Sequence, residues 1–279
     1  METKTPKISI IIPSFNSGEY LPYTLRSIDE QDYSNYEVIL VDGKSTDETA
    51  DVAKKYNHVI TTFISEEDDG QSDAVNKGLS YTTGEFILWQ NADDIFFPKA
   101  FSSFVDVYND NDSYDVYFGD IALLAIDGRE LWRRYFTDID PLIANYHGLI
   151  CNNQAAFIRR DVLDRHGFLD KSYHYAMDRE FFLRLYHNRV KFKHFDQVIA
   201  GFRHQPESKT ETPENVEKWA LEHGRLAQQY HLFSPESIMN QLLEKLGSVD
   251  KALRMLLVNP NRFAEMVRRT IFATNKQPY

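Results

Sequence analysis

The chain has 279 residues, with 31 basic against 42 acidic groups and a formal charge of −11. Its 42% hydrophobic and 14% aromatic content can fill a sizeable core, which excludes a wholly disordered chain. No apolar run approaches the ~20 residues of a membrane span, and the acidic balance argues against bulk nucleic-acid binding.

Ile8–Ile12 is β-branched and bounded by Pro13, the pattern of a buried strand, and a helical stretch follows from about 19 to 27. Glu37–Val41 is a second strand, ending at Asp42-Gly43. Ser45 and Glu48 have capping-box spacing and open a helix predicted to run to about Tyr56. Val59–Ile64 is a third strand, Ser72–Leu79 a short helix and Glu85–Trp89 a fourth strand. This alternation predicts a mostly parallel sheet flanked by helices. Further on, 116–118 and 121–124 are short strands before a turn at Asp127-Gly128, and 155–158 is another. Asp178–Tyr186 has helical spacing. From Pro213 the pattern is helical, broken at Ser234-Pro235 and Asn259-Pro260. The expected organisation is an α/β domain over 1–210, in halves 1–100 and 101–210, and a C-terminal helical extension over 211–279.

From Lys251 to Tyr279 six basic residues face one acid, so this tail carries +5 and the remainder −16. Its alternating apolar and cationic faces suit the surface of an anionic membrane, or packing on the domain or on a second subunit of a homo-oligomer. The single Cys151 cannot form an internal disulfide, and Met1–Pro6 lacks the apolar centre of a signal peptide. The expected location is cytoplasmic, with the inner face of the plasma membrane open to peripheral contact.

In an open parallel sheet, ligands bind beyond the carboxyl ends of the strands. Four consecutive strand ends here deliver polar groups to one edge: Pro13-Ser14-Phe15-Asn16, Asp42-Gly43, Asp68-Asp69-Gly70-Gln71 and Asn91-Ala92-Asp93-Asp94. No Gly-rich phosphate loop is present. Carboxylates repel phosphate, so a phosphorylated ligand at this edge calls for a bridging Mg²⁺ or Mn²⁺, with Asp93 and Asp94 as candidate ligands. The same four residues are also good turn chemistry.

These segments, with Asp73-Ala74-Val75-Asn76-Lys77-Gly78, Asn153–Arg160 and Ala176–Leu185, resemble the family 2 glycosyltransferases of GT-A fold over about 200 residues. The resemblance implies a Rossmann-like nucleotide-binding half, a nucleotide-sugar donor, a divalent metal and transfer with inversion. It places Pro13, Ser14, Asn16, Asp42, Asp69, Asn76 and Asn91 at the donor. Asn91-Ala92-Asp93 stands where the family has Asp-X-Asp, so an amide replaces the first acid and the metal falls to Asp93 and Asp94. His204 matches a site reaching the diphosphate or metal, and Arg203 is a candidate phosphate holder or a surface ion pair. Asp178 matches the general base and also suits a helix first turn. Gln154 could bind a sugar hydroxyl, or be a strand-edge amide, and Cys151 reads as a small core residue. The expected enzyme moves a sugar, expected to be UDP-linked, to a saccharide or lipid-linked saccharide. Two other readings stand beside it: a sugar nucleotidyltransferase, and a nucleotide-sugar-binding or scaffold protein without catalysis.

Overall fold

Every residue of Ile8–Ser14 (β1) is buried, because this strand is central and covered on both faces. The computed structural model describes residues 3–136, 138, 151–204 and 213–232. The predicted breaks at Ser234-Pro235 and Asn259-Pro260, and the basic tail, lie outside the described residues. The first half alternates strand and helix: Leu21–Asp29 (α1), Tyr36–Asp42 (β2), Thr49–Lys55 (α2), Thr62–Ser65 (β3), Gln71–Leu79 (α3) and Phe86–Trp89 (β4). These strands pair in the order β3-β2-β1-β4, all parallel. The order reverses at β1, so the crevice between the ends of β1 and β4 is a topological switch point, where such sheets bind ligands.

Beyond β4 the sheet becomes mixed. Its elements are Ile95–Phe96 (β5), Ala100–Asp110 (α4), Val116–Leu124 (β6), Glu130–Arg134 (β7), a 3₁₀ turn Asn153–Ala155, Ala156–Arg159 (β8) and Arg160–His166 (α5). Met177–His187 (α6), Phe192–Arg203 (β9) and Pro213–Gln229 (α7) follow. The order continues β8-β6-β9-β5, with β7 beside β6. Strand β8 pairs antiparallel with both β4 and β6, splicing the two halves into one sheet.

Three boundaries differ from expectation. The two predicted strands at 116–118 and 121–124 are one, with its pairing to β9 irregular around Asp120. The third strand starts at Thr62 instead of Val59. The Ser45–Glu48 capping box does not form: α2 starts at Thr49 without a side-chain cap on Glu48, and the Ser45 hydroxyl donates instead to Asp42. Asp47 takes over locally, accepting from the Thr49 and Gly18 amides at 3.0 and 2.8 Å.

Two aromatic clusters lock the helices onto opposite faces of β4. Phe86 meets Phe104 and Tyr108 of α4 edge-on, and Phe104 stacks on Phe157 with centroids 4.1 Å apart. Trp89 packs with Phe168 and with Phe181 and Phe182 of α6. Helix α3 crosses β1 and β2 closely enough that a Cβ on Gly78 would lie 2.5 Å from Ile11 Cγ2.

Candidate functional site

The turn after β4 is pinned from four directions. Asp94 is wholly buried. Its Oδ1 accepts from the Arg203 amide at 2.8 Å, and its Oδ2 from Gln154 Nε2 at 2.6 Å and Asn91 Nδ2 at 2.9 Å. Asn91 Oδ1 in turn accepts from Gln71 Nε2, at the start of α3, at 2.8 Å. Thr24 of α1 donates to the carbonyls of Ala92 and Asp94, and Arg203 Nε to that of Asp93 at 3.0 Å. The outcome is a rigid turn in which Asp93 keeps partial exposure while Asp94 faces inward.

Asp94, expected beside Asp93 as a metal ligand, is in this structure the buried anchor of the turn, both its oxygens engaged by donors. Burial first, and the neighbouring Asp93 charge second, push its pKa well above the usual carboxylate range. Such a group is costly to ionise and is already held by three donors. Among the described residues no three His, Cys, Asp or Glu side chains gather into a metal-holding group, so the expected trio Asp93, Asp94 and His204 is not assembled. His204 is exposed and its amide donates to the Leu124 carbonyl at 2.8 Å, directly after the Arg203–Asp94 bond that brings it beside the turn. One partly exposed carboxylate, Asp93, with His204 following Arg203 in the chain, is a sparse donor set. It fits a Mg²⁺- or Mn²⁺-type ion, which takes one or two carboxylates and completes its shell with phosphate oxygens and water.

Arg203 is nearly buried, with Nη1 on the Ile126 carbonyl at 2.7 Å and its guanidinium beside the rings of Tyr20 and Tyr23. It fastens the turn; the surface ion pair is not what the residue forms. Gln154 likewise supports Asp94 by its amide nitrogen, and its Oε1 is buried without a partner.

At the neighbouring edge, the β1 and β2 loops are tied together. Asn16 adopts a left-handed backbone, φ 48°, which asparagine tolerates. Its amide donates to Ser45 Oγ at 2.7 Å, and its Oδ1 accepts from the Thr46 amide at 3.0 Å. Asp42 is buried and accepts from Ser65 Oγ at 2.6 Å and from Ser45. Pro13 and Ser14 close β1, with Ser14 Oγ buried and unpartnered. Two residues missed in the sequence lie here. Phe15 is 65% exposed, and a Cβ on Gly43 would touch both its ring and the Asp68 carboxylate. An aromatic residue at a strand-end loop, where solvation gives it no reason to be, was the available signal.

Two residues expected at the donor have protein partners in this structure. Asp69 is 82% exposed and pairs with Lys171 at 3.1 Å, so the acid that approaches Gly43 is Asp68. Both ends of the Asn76 amide are held by Leu169, whose carbonyl accepts at 2.8 Å and whose amide donates at 3.1 Å. That pairing, reciprocal with the backbone, joins α3 to the segment before α6 and leaves Asn76 a structural role.

Asp178 lies in the first turn of α6, half-buried, its Oδ1 accepting from the Arg179 amide at 2.7 Å. Burial raises its pKa, while burial lowers that of Arg179. The buried Cys151 lies close by, its thiol pushed up by burial and by Asp178. The start of α3 connects this acid to the Asp93 turn. Gln71 bonds to Asn91, and Ser72 Oγ donates to the Tyr173 carbonyl at 3.1 Å, just ahead of α6.

The description "Glycosyl transferase family 2" matches residues 9–167. A "PGL/p-HBAD biosynthesis glycosyltransferase" of Mycobacterium bovis is 31% identical over 200 residues, 70% of this chain and 76% of the relative. Among solved structures, S. aureus TarS 1-349 in complex with UDP-GlcNAc is similar with TM-score 0.62 at 21% identity, over 77% of this chain and 66% of that one. Full TarS is matched over 39% of its length. The mannosyltransferase PcManGT of Pyrobaculum calidifontis, in complex with GDP-Man and Mn²⁺, has TM-score 0.62 at 17% identity, over 99% of this chain and 77% of that one.

Proposed function

Given that the chain belongs to glycosyl transferase family 2 and has the GT-A fold, we propose that it moves a sugar from a UDP-sugar to a saccharide or lipid-linked saccharide, with inversion and Asp178 as general base. The observation that carries this reading is the placement of two acids around one helix start. The turn that carries the partly exposed Asp93 is bonded through Asn91 to Gln71 of α3, and the loop just ahead of the half-buried Asp178 is bonded to the next residue, Ser72. Inverting displacement needs a single carboxylate on the acceptor side, taking the hydroxyl proton as the oxygen attacks the anomeric carbon. Burial that raises the pKa makes the Asp178 carboxylate a stronger base.

The exposed Phe15 ring, with Gly43 and Asp68, offers a face for the nucleoside base, and the Asn16–Ser45 tie fixes the opening beneath it. Asp93 and His204 would hold the divalent metal, which supplies Lewis-acid stabilisation of the departing diphosphate. The buried Asp94 network keeps the Asp93 backbone from moving as charge develops. The UDP-GlcNAc complex of TarS supports the choice of a uridine donor, and Mn²⁺ in PcManGT supports a metal.

Calorimetry against UDP-, GDP- and dTDP-sugars, followed by donor hydrolysis with and without Mn²⁺, tests the proposal. Asp178→Asn is expected to keep donor binding and to lose about 10²-fold or more in turnover. Unchanged turnover would remove Asp178 from the mechanism, and a donor that binds but is never cleaved would favour a binding protein.

A further inference from the structure

Helix α7 begins the segment expected to be an appended extension, yet its residues reach the loop that presents Asp178. Glu222 Oε1 accepts from the His174 amide at 2.8 Å, and Oε2 from the Tyr175 and Ala176 amides at 2.8 and 2.9 Å. One carboxylate thus holds three consecutive N–H groups immediately before Met177, the first residue of α6. Those amides would otherwise need water or a local cap, because Ala176 at the N-cap position supplies no side-chain acceptor.

The neighbouring residues of α7 act on the same stretch. Arg225 covers the Tyr173 ring, 3.6 Å from its centroid, and donates to the Ser172 carbonyl at 3.0 Å. Tyr173 and Tyr175 donate their hydroxyls to Gln229 and Asn215 of α7 at 2.9 and 2.8 Å. Tyr173, Ala176 and Leu226 form a small buried cluster of their own. His223 contacts the Arg179 guanidinium through Nδ1, and burial, then the Arg179 charge, hold its pKa down at about 3. His223 is therefore neutral and accepts from Arg179, the residue next to Asp178.

We propose that Glu222 is a positioning residue for the reaction: by clamping the amides of 174–176 it sets the start of α6, and with it the direction and burial of the Asp178 carboxylate. Helix α7 is then a wall of the catalytic unit. The proposal rests on the reading of Asp178 as the base. A carboxylate on three backbone amides is charge-assisted and short-armed, so it fixes orientation more tightly than apolar contacts along the same helix would. The groups that act on Asp178 directly are Arg179 on its own helix and Cys151 from the segment before the 3₁₀ turn; from α7, His223 reaches it through Arg179 and Glu222 through the 174–176 amides.

The test uses the full chain with UDP-GlcNAc and Mn²⁺, and follows the Asp178 carboxyl by ¹³C NMR titration, its signal assigned by comparison with Asp178→Asn. In Glu222→Gln one N–H acceptor becomes a donor facing the amides. The 174–176 amides are expected to lose protection in hydrogen exchange, and the Asp178 pKa to fall toward the usual carboxylate range as water enters. Turnover is expected to fall about tenfold with donor KM within about twofold, the signature of lost orientation. Glu222→Asp keeps the charge on an arm one methylene shorter and is expected to recover part of both effects; it also serves as the folded variant should Glu222→Gln not fold. Leu221→Ser, at an exposed position of α7, is expected to behave as the wild type. An unaltered Asp178 titration together with unaltered turnover in Glu222→Gln would overturn the clamp. Full turnover in Asp178→Asn would instead overturn the base reading on which it stands.

Discussion

Asn91 is where the family's first acid would stand, and its neighbours explain why an amide suits this chain. Its Nδ2 donates to Asp94 Oδ2 at 2.9 Å, and an amide there satisfies a buried carboxylate. An aspartate would set two carboxylates face to face around one buried position. Asn91→Asp is therefore expected to destabilise the protein by about 1–3 kcal/mol, lowering Tm by roughly 2–5 °C, with part of the loss recovered by Mn²⁺. Thermal unfolding with and without the ion checks this, and an unchanged Tm in its absence would contradict the account. The sequence distinguished Asp93 from Asp94 poorly because both follow the same strand. What separates them is the Arg203 amide and Gln154, which come from distant segments and meet only after folding. Phe15 and Asp68 escaped for the same reason: their closeness to Gly43 is set by the crossing of two loops.

At the scale of elements, Glu37 does for the amino-terminal edge of the sheet what Asp94 does for the other. It accepts from Ser9 Oγ, from Thr83 and from the Gly84 amide at 3.2 Å, and pairs with Lys7 at 2.6 Å. One side chain of β2 thereby ties β1 to the turn before β4. Burial alone would raise its pKa, but Lys7, Ser9 and Thr83 outweigh that and hold it down at about 2. A depressed carboxylate adds stability that is fully present above its unfolded value near 4.5 and lost as pH falls toward 2. Over that window the shift is worth about 3 kcal/mol. Glu37→Gln is expected to be destabilised in urea unfolding at pH 7 and to converge on the wild type near pH 2; a difference that persists at pH 2 would contradict the assignment. The helix faces are also strict: Gly78→Ala would drive a methyl into Ile11 and should cost about 1–3 kcal/mol. The parallel elements were legible because β1, β2 and β4 are runs of apolar residues punctuated by polar strand ends. Helix α4 is not among the expected elements, although Ala100, Phe101, Phe104, Val105 and Tyr108 recur at helical spacing and are buried; its position against Phe86 and Phe157 depends on the mixed half of the sheet. Strands β5 and β7 are short edge pairings whose existence depends on β9 and β6, and local patterning carries little of that.

For the molecule as a whole, charge and chain position pull in opposite directions. Residues 1–250 carry −16 and residues 251–279 carry +5, so the body is repelled by an anionic surface and attraction has to come from the tail. The bonds that hold the Asp178 loop, in contrast, end within α7. Surface attachment and catalysis are thus expected to separate along the chain. A protein ending at residue 250 should keep the wild-type rate of UDP-sugar hydrolysis, while its cosedimentation with vesicles rich in anionic lipid should fall relative to the full chain. The difference should shrink as salt rises, since the attraction of a few cations to an anionic surface is screened within a Debye length of about 8 Å at physiological ionic strength. Equal, negligible sedimentation of both proteins would leave the tail as a packing or subunit contact, and a loss of hydrolysis on truncation would mean that residues past α7 support the site as well.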